Sequence, residues 1–144
     1  MRAIATVGGI GYIPKLPGTA ASLAGAGVCW LLRSSPAAQV IGCAVAAGLG
    51  LWSAGPTARA IGQKDPSVIV IDEVAGMMLT LALLPAGWRT YLAGFLLFRL
   101  LDIWKPGPIR RLEQLPGSLG IMADDPAAGA AANLIIRLLL HSFA

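Results

Sequence analysis

Residues 68–84 read Val68-Ile69-Val70-Ile71-Asp72-Glu73-Val74-Ala75-Gly76-Met77-Met78-Leu79-Thr80-Leu81-Ala82-Leu83-Leu84. The stretch is apolar throughout, apart from Thr80 and two adjacent carboxylates. Asp65-Pro66 stands before it and Pro85 behind it. A cap residue followed by proline is a helix-start signal: the cap oxygen takes an orphan N–H, and proline has none to leave unpaired. The stretch is therefore expected to be a helix, opened by Asp65 and stopped by Pro85. Its length sits at the lower end of a bilayer crossing, which needs roughly 17 to 25 residues. A carboxylate inside such a segment costs about 3 kcal/mol on insertion scales, so it is read as functional by default.

Four more apolar stretches flank this one: Ala20 to Leu32, Ala37 to Ala54, Tyr91 to Trp104 and Pro126 to Leu140. Ser35-Pro36 and Asp125-Pro126 repeat the start signal. Thr19 and Ser22 are read as caps of the first stretch. Gly55-Pro56 is expected to stop the second, and Pro106 and Pro108 the fourth. Only the second stretch and residues 68–84 reach spanning length. The others are expected to be partial, tilted or interfacial. The fold class is all-α: a small membrane-embedded bundle of about five to six helices, forming one domain over residues 1–144.

Composition agrees. Of 144 residues, 56% are hydrophobic and 12% charged, and the mean hydropathy is +0.73. A soluble domain carries about 25% charged residues. Intrinsic disorder is excluded, because it needs low hydrophobicity. The net charge of +4 comes from scattered cations without a dense basic run, so no nucleic-acid partner is expected. With five crossings, Arg2, Lys15, Arg59, Lys64, Lys105, Arg110 and Arg111 share one side. Arg33, Arg89 and Arg137 take the other. The first side is then cytoplasmic. Cys29 and Cys43 lie in apolar runs and read as small hydrophobes. Short spans leave room for pairing between copies, so a homo-oligomer is open.

The chain has seven acidic residues, and five of them fall near that positive face. Asp72 and Glu73 lie early in the third stretch, Asp102 closes the fourth, and Asp124 and Asp125 open the fifth. Arg99, Asp102 and Lys105 follow at i, i+3 and i+6, which places them on one side of a helix. The lone His141 is remote, and there is no phosphate loop of the G-x-x-x-x-G-K-[ST] form. Oxygen-ligand chemistry remains. Clustered carboxylates bind Mg²⁺, which takes substrate phosphate as a further ligand. Nearby Arg and Lys clamp phosphate oxygens. The expected metal ligands are Asp72, Glu73 and Asp124, with Asp125 assisting. Asp102 is a further ligand or the base that orients water. Thr19, Ser22, Arg99, Lys105 and Arg110 are the expected phosphate contacts. The rival reading is a small cation or proton transporter, with its acids spread in depth along a path.

Four motifs then appear in order. They are Gly11-Tyr12 with Pro17-Gly18-Thr19-Ala20-Ala21-Ser22, Ile69 to Met77 around Asp72-Glu73, Phe98 to Arg110, and Gly120-Ile121-Met122-Ala123-Asp124-Asp125 with Ala128-Gly129. Together they resemble phosphatidylglycerophosphatase A, a bacterial inner-membrane enzyme family. Lys64 stands where the family often has His. The resemblance implies Mg²⁺-dependent removal of the terminal phosphate of phosphatidylglycerophosphate, giving phosphatidylglycerol in phospholipid biosynthesis. It also implies a site on the cytoplasmic side and membrane lipids as surroundings. A phosphatase for another lipid or prenyl phosphate is the alternative within the same chemistry.

Overall fold

The computed structural model describes residues 1–143. Five long helices carry the fold: α2 (Pro17–Leu31), α3 (Pro36–Ile61), α4 (Ile71–Leu81), α5 (Trp88–Trp104) and α8 (Asp124–Ser142). Three short ones fill the connections: α1 (Arg2–Ala5), α6 (Gly107–Leu112) and α7 (Ser118–Met122). The five long helices coincide with the five apolar stretches of the sequence, and no strand occurs among the described residues.

α4 stands at the centre, packed against α2, α3, α5 and α8. Nine of its 11 residues are buried. It is about 16 Å long, roughly half the hydrocarbon thickness of a bilayer. The expectation that residues 68–84 form a spanning-length segment is thus corrected. A helix that is apolar all round is either lipid-facing or buried by other helices, and α4 is the second kind. Among the described residues, α3 is the one helix long and apolar enough to cross a membrane.

The outer helices turn large apolar side chains outward. Val45, Leu49 and Trp52 of α3, Leu92, Leu96 and Leu100 of α5, and Leu134 and Leu138 of α8 are all exposed. The i, i+4 spacing on α5 makes a continuous exposed apolar stripe. Trp88 and Trp104 stand exposed at the two ends of that helix. At the end carrying Trp88, the Trp30 ring meets Tyr91 edge-on at 5.4 Å, and the Arg33 guanidinium lies 4.4 Å over Trp30. Aromatic rings and cations at helix ends are what a membrane–water interface selects.

Helix boundaries show where local signals held. Ser35 caps α3, its Oγ accepting from the Ala38 N–H at 3.2 Å. Pro106 ends α5, which stops at Trp104, but three other proline signals are corrected. α3 does not stop at Gly55-Pro56 but runs to Ile61. Proline removes one helical bond, and packing against α7 compensates: the Gly55 N–H donates to Ser118 Oγ at 2.9 Å. Asp65 does not cap a helix, because Pro66–Ile69 forms a turn and the Val70 N–H is taken by the Ala5 carbonyl at 3.0 Å. α8 begins at Asp124, so Asp125 is inside the helix rather than its cap. α2 begins at Pro17 with Leu16 in the cap position, ahead of Thr19 and Ser22.

The far end of α4 lies inside the protein, where its last carbonyls need donors. Asn133 supplies them: its Nδ2 is shared among the carbonyls of Leu79 (3.2 Å), Thr80 (2.9 Å) and Ala82 (3.0 Å). Arg137 adds a bond to the Ala82 carbonyl at 3.1 Å and steadies Asn133 Oδ1 at 2.7 Å. Replacing Asn133 with Ala leaves the Thr80 carbonyl without a donor and takes one of two donors from the carbonyls of Leu79 and Ala82. The expected cost is roughly 2–3 kcal/mol of unfolding free energy, measured by denaturation in mixed micelles. A loss below about 0.5 kcal/mol would show that the carbonyls find other donors.

Candidate active site

Three helices begin, and one ends, around a single cavity of about 350 Å³. α2, α4 and α8 point their N-termini at it, and α5 ends beside it. The positive ends of three helix dipoles therefore converge there, which favours negative groups in the first turns. Those turns hold Asp72 and Glu73 on α4, and Asp124 and Asp125 on α8. α2 has no side-chain cap among the described residues, so its first N–H groups are available to a ligand.

Close approach of the backbones sets the spacing. Gly76 of α4 and Gly129 of α8 face one another, and a Cβ on Gly129 would lie 3.0 Å from the Gly76 carbonyl carbon. This glycine pair brings Asp125 to the Asp72–Glu73 turn. One carboxylate oxygen from each of Asp72, Glu73 and Asp125 falls within 4.8 Å of the others. Asp72 Oδ1 and Glu73 Oε2 are buried and have no hydrogen-bond partner among the described residues. Crowded, buried, unpaired carboxylate oxygens are costly unless a cation joins them. The donor set is all oxygen, which suits a hard divalent ion such as Mg²⁺.

Around this group the cations are engaged. Arg99 is paired with Asp102 one turn further along α5. Lys105 donates to Asp124 Oδ2 at 2.6 Å and to Glu113 Oε1 at 2.5 Å. Burial works against the Lys105 charge, but Asp124 and Glu113 outweigh it and hold the ammonium above its ordinary range. Asp65, Asp72, Glu73, Asp102, Asp124 and Asp125 line the cavity with Lys15, Arg99 and Lys105. Six carboxylates thus face three cations, a negative excess that a phosphate could enter only with added positive charge.

Of the expected site residues, Thr19, Asp72, Glu73, Arg99, Asp102, Lys105, Asp124 and Asp125 all line this one cavity. Asp125, not Asp124, stands with Asp72 and Glu73, since Asp124 is bonded to Lys105. Ser22 is buried away from it, its Oγ donating to the Gly18 carbonyl at 2.8 Å. Arg110 also lies outside the lining and donates to the Trp104 carbonyl at 3.3 Å. Two lining residues did not stand out in the sequence. Asp65 resembled a helix cap. Lys15 sits in an irregular run with no helix to place it. Its backbone is left-handed, with φ 74°, a conformation that costs a non-glycine residue energy and clusters at functional sites. Lys15 forms no ion pair among the described residues.

Comparison with known proteins assigns the family. The family model for phosphatidylglycerophosphatase A matches residues 3–140. The chain belongs to this family. Its members are phosphoric monoester hydrolases, and a member of it with one helix long and apolar enough to cross a bilayer points to membrane association. The chain is 39% identical over 137 residues to a phosphatidylglycerophosphatase A of Escherichia coli (strain K12), covering 92% of this chain and 79% of that one. It is 39% identical over 132 residues to a phosphatidylglycerophosphatase A of Haemophilus influenzae, covering 89% and 81%. It is also 35% identical over 148 residues to a putative phosphatidylinositol-3-phosphatase of Bacteroides thetaiotaomicron, covering 94% and 90%. No solved structure is significantly similar.

Proposed function

We propose that this protein hydrolyses the terminal phosphate of phosphatidylglycerophosphate, releasing phosphatidylglycerol and inorganic phosphate at the cytoplasmic face of a bacterial inner membrane. The reading is carried by one observation: three crowded carboxylates, two of them with an unpaired buried oxygen, share a cavity with an uncapped helix N-terminus. Asp72, Glu73 and Asp125 would hold Mg²⁺, which supplies positive charge to the phosphate oxygens. The α2 N-terminus and Thr19 bind the remaining phosphate oxygens. Asp102, oriented by Arg99, holds the attacking water and accepts its proton. The water oxygen bonds to phosphorus as the bond to the glycerol oxygen breaks, and that oxygen takes a proton from solvent. Lys105 holds Asp124 in place. The lipid-facing helices carry the site to a substrate whose acyl chains stay in the leaflet.

Among the described residues, Lys15 supplies the one cation lining this cavity that forms no ion pair. Lys15→Ala is expected to raise KM about tenfold, with kcat changed less than threefold, because a point charge on a surface arm contributes to binding before chemistry.

The test is phosphate release in detergent micelles, with Mg²⁺ and with chelator. The panel is phosphatidylglycerophosphate, phosphatidylinositol 3-phosphate, phosphatidic acid and a prenyl phosphate. Preference for phosphatidylglycerophosphate supports the reading. Preference for phosphatidylinositol 3-phosphate would favour the chemistry in the name of the Bacteroides relative. No release from folded protein would return attention to ion transport. Acids gathered at one end of the bundle, rather than along a path, already speak against that alternative.

A further inference from the structure

A second cavity adjoins the first, and the proposed function leaves it unused. It encloses about 410 Å³ between the end of α3 and the link joining α6 to α7. The two cavities share Asp65. Glu113 also lines the second cavity, while its carboxylate is held by Lys105 of the first. The two spaces are therefore neighbours across a thin wall, but their charge differs. The first is dominated by carboxylates. The second balances Arg59 and Lys64, neither of which forms an ion pair among the described residues, against Asp65 and a Glu113 carboxylate already held by Lys105. The amides of Gln63 and Gln114 stand beside them.

The depth of this cavity follows from α3. The last large apolar side chain that this helix exposes is Trp52, and Arg59 stands seven positions beyond it. That is about 10 Å further along the axis, which carries Arg59 out of the apolar belt to the level of lipid headgroups.

We propose that this cavity seats the phosphate diester of the lipid substrate, on Arg59 and Lys64. The proposal rests on the lipid phosphatase reading and adds to it the group that distinguishes one class of substrate. A lipid with a monoester on its headgroup carries a second phosphate, the diester that joins the headgroup to its acylated glycerol. That diester keeps one negative charge at any physiological pH. The carboxylate cavity repels it, while the adjoining cation-lined cavity accepts it, Arg59 as a two-pronged donor and Lys64 as a point charge. Gln63 and Gln114 offer donors and acceptors to the hydroxyl between the two phosphates. Two unlike seats side by side select lipids carrying both kinds of phosphate. Phosphatidic acid, which has no diester, fills only one.

The test uses the full-length protein in detergent and a probe with a diester and no monoester, dihexanoyl-phosphatidylglycerol, titrated calorimetrically. Arg59→Ala with Lys64→Ala is expected to weaken its binding at least tenfold, and each single change about threefold. The exchange Arg59→Lys with Lys64→Arg should restore affinity to within about threefold of wild type, which a merely structural role would not predict. KM for phosphatidylglycerophosphate should rise in parallel. Unchanged probe affinity in the double alanine variant overturns the proposal. So does weakened probe binding with an unchanged KM, because the seat would then belong to a separate anionic lipid. The probe is not a substrate, so binding is read whether or not the wild type hydrolyses lipid phosphate. Failure of hydrolysis alone counts against the phosphatase reading and not against the seat.

Discussion

Asp72→Asn is expected to reduce phosphate release at least a thousandfold and, in chelator, to leave the protein no less stable than wild type. The two effects have one cause. Asp72 is buried, and its Oδ1 has no protein partner among the described residues. If three carboxylates share an ion, removing one charge weakens the ion and the phosphate charge it neutralises. Without the ion the same substitution relieves repulsion in a crowded buried group. Saturating Mg²⁺ should therefore raise the thermal midpoint of the wild type. Ligand at a hundred times its Kd contributes about 2.7 kcal/mol. The variant should lose most of that response. Activity within tenfold of wild type, or an undiminished response to Mg²⁺, would remove Asp72 from the metal site.

The second large effect is expected from a residue with no side chain. Gly129→Ala places a methyl group against the Gly76 backbone. Backbone cannot swing aside as a flexible side chain does, so α8 must move away from α4. Asp125 is one turn earlier on α8, and its own carbonyl lies 2.7 Å from where a Cβ on Gly76 would be. A shift of about 1 Å there should cost roughly a hundredfold in kcat and about 1–3 kcal/mol in stability. Gly48→Ala is the control. Nothing lies within 4 Å of a Cβ on Gly48, and alanine in a helix interior is favoured over glycine by roughly 0.5–1 kcal/mol. Equal losses in both variants would deny the glycine contact its role in placing Asp125.

The positions of the long helices, and the gathering of acids at one end, were legible from continuous apolar stretches and from the shortage of charge. Asp72 and Glu73 were readable because an apolar segment has no use for adjacent carboxylates unless something binds them. Other features were hidden because their causes are not local. Ser35-Pro36 and Asp65-Pro66 look alike in sequence, yet only Ser35 caps a helix. The chain after Asp65 is held by a backbone bond from Val70 to Ala5, far away in sequence. Pro56 resembled a stop because its compensating partner, Ser118, comes from another helix. α4 resembled a span because lipid and packed protein ask for the same apolar surface. Ser22 and Arg110 were placed at the site by residue type, but each satisfies a nearby backbone carbonyl instead. Lys15 belongs to no periodic segment, so its place at the cavity could come only from tertiary structure.

The tryptophans at the ends of α5 have a bearing on the surrounding lipid. Trp88 and Trp104 are sixteen positions apart on one helix, about 24 Å along its axis. Tryptophan settles at the boundary between acyl chains and headgroups, so with α5 inserted lengthwise this pair would bracket a hydrocarbon slab of that thickness. That slab is several ångströms thinner than an average bilayer core of about 30 Å. Dimpling of the leaflets inward around the protein would relieve such a mismatch, at a fraction of a kcal/mol per ångström. Headgroups in such a dimple sink toward the rim where α2, α4 and α8 begin. A lipid phosphate would then reach the carboxylates with its tails still in the leaflet, delivered by bilayer elasticity rather than by extraction.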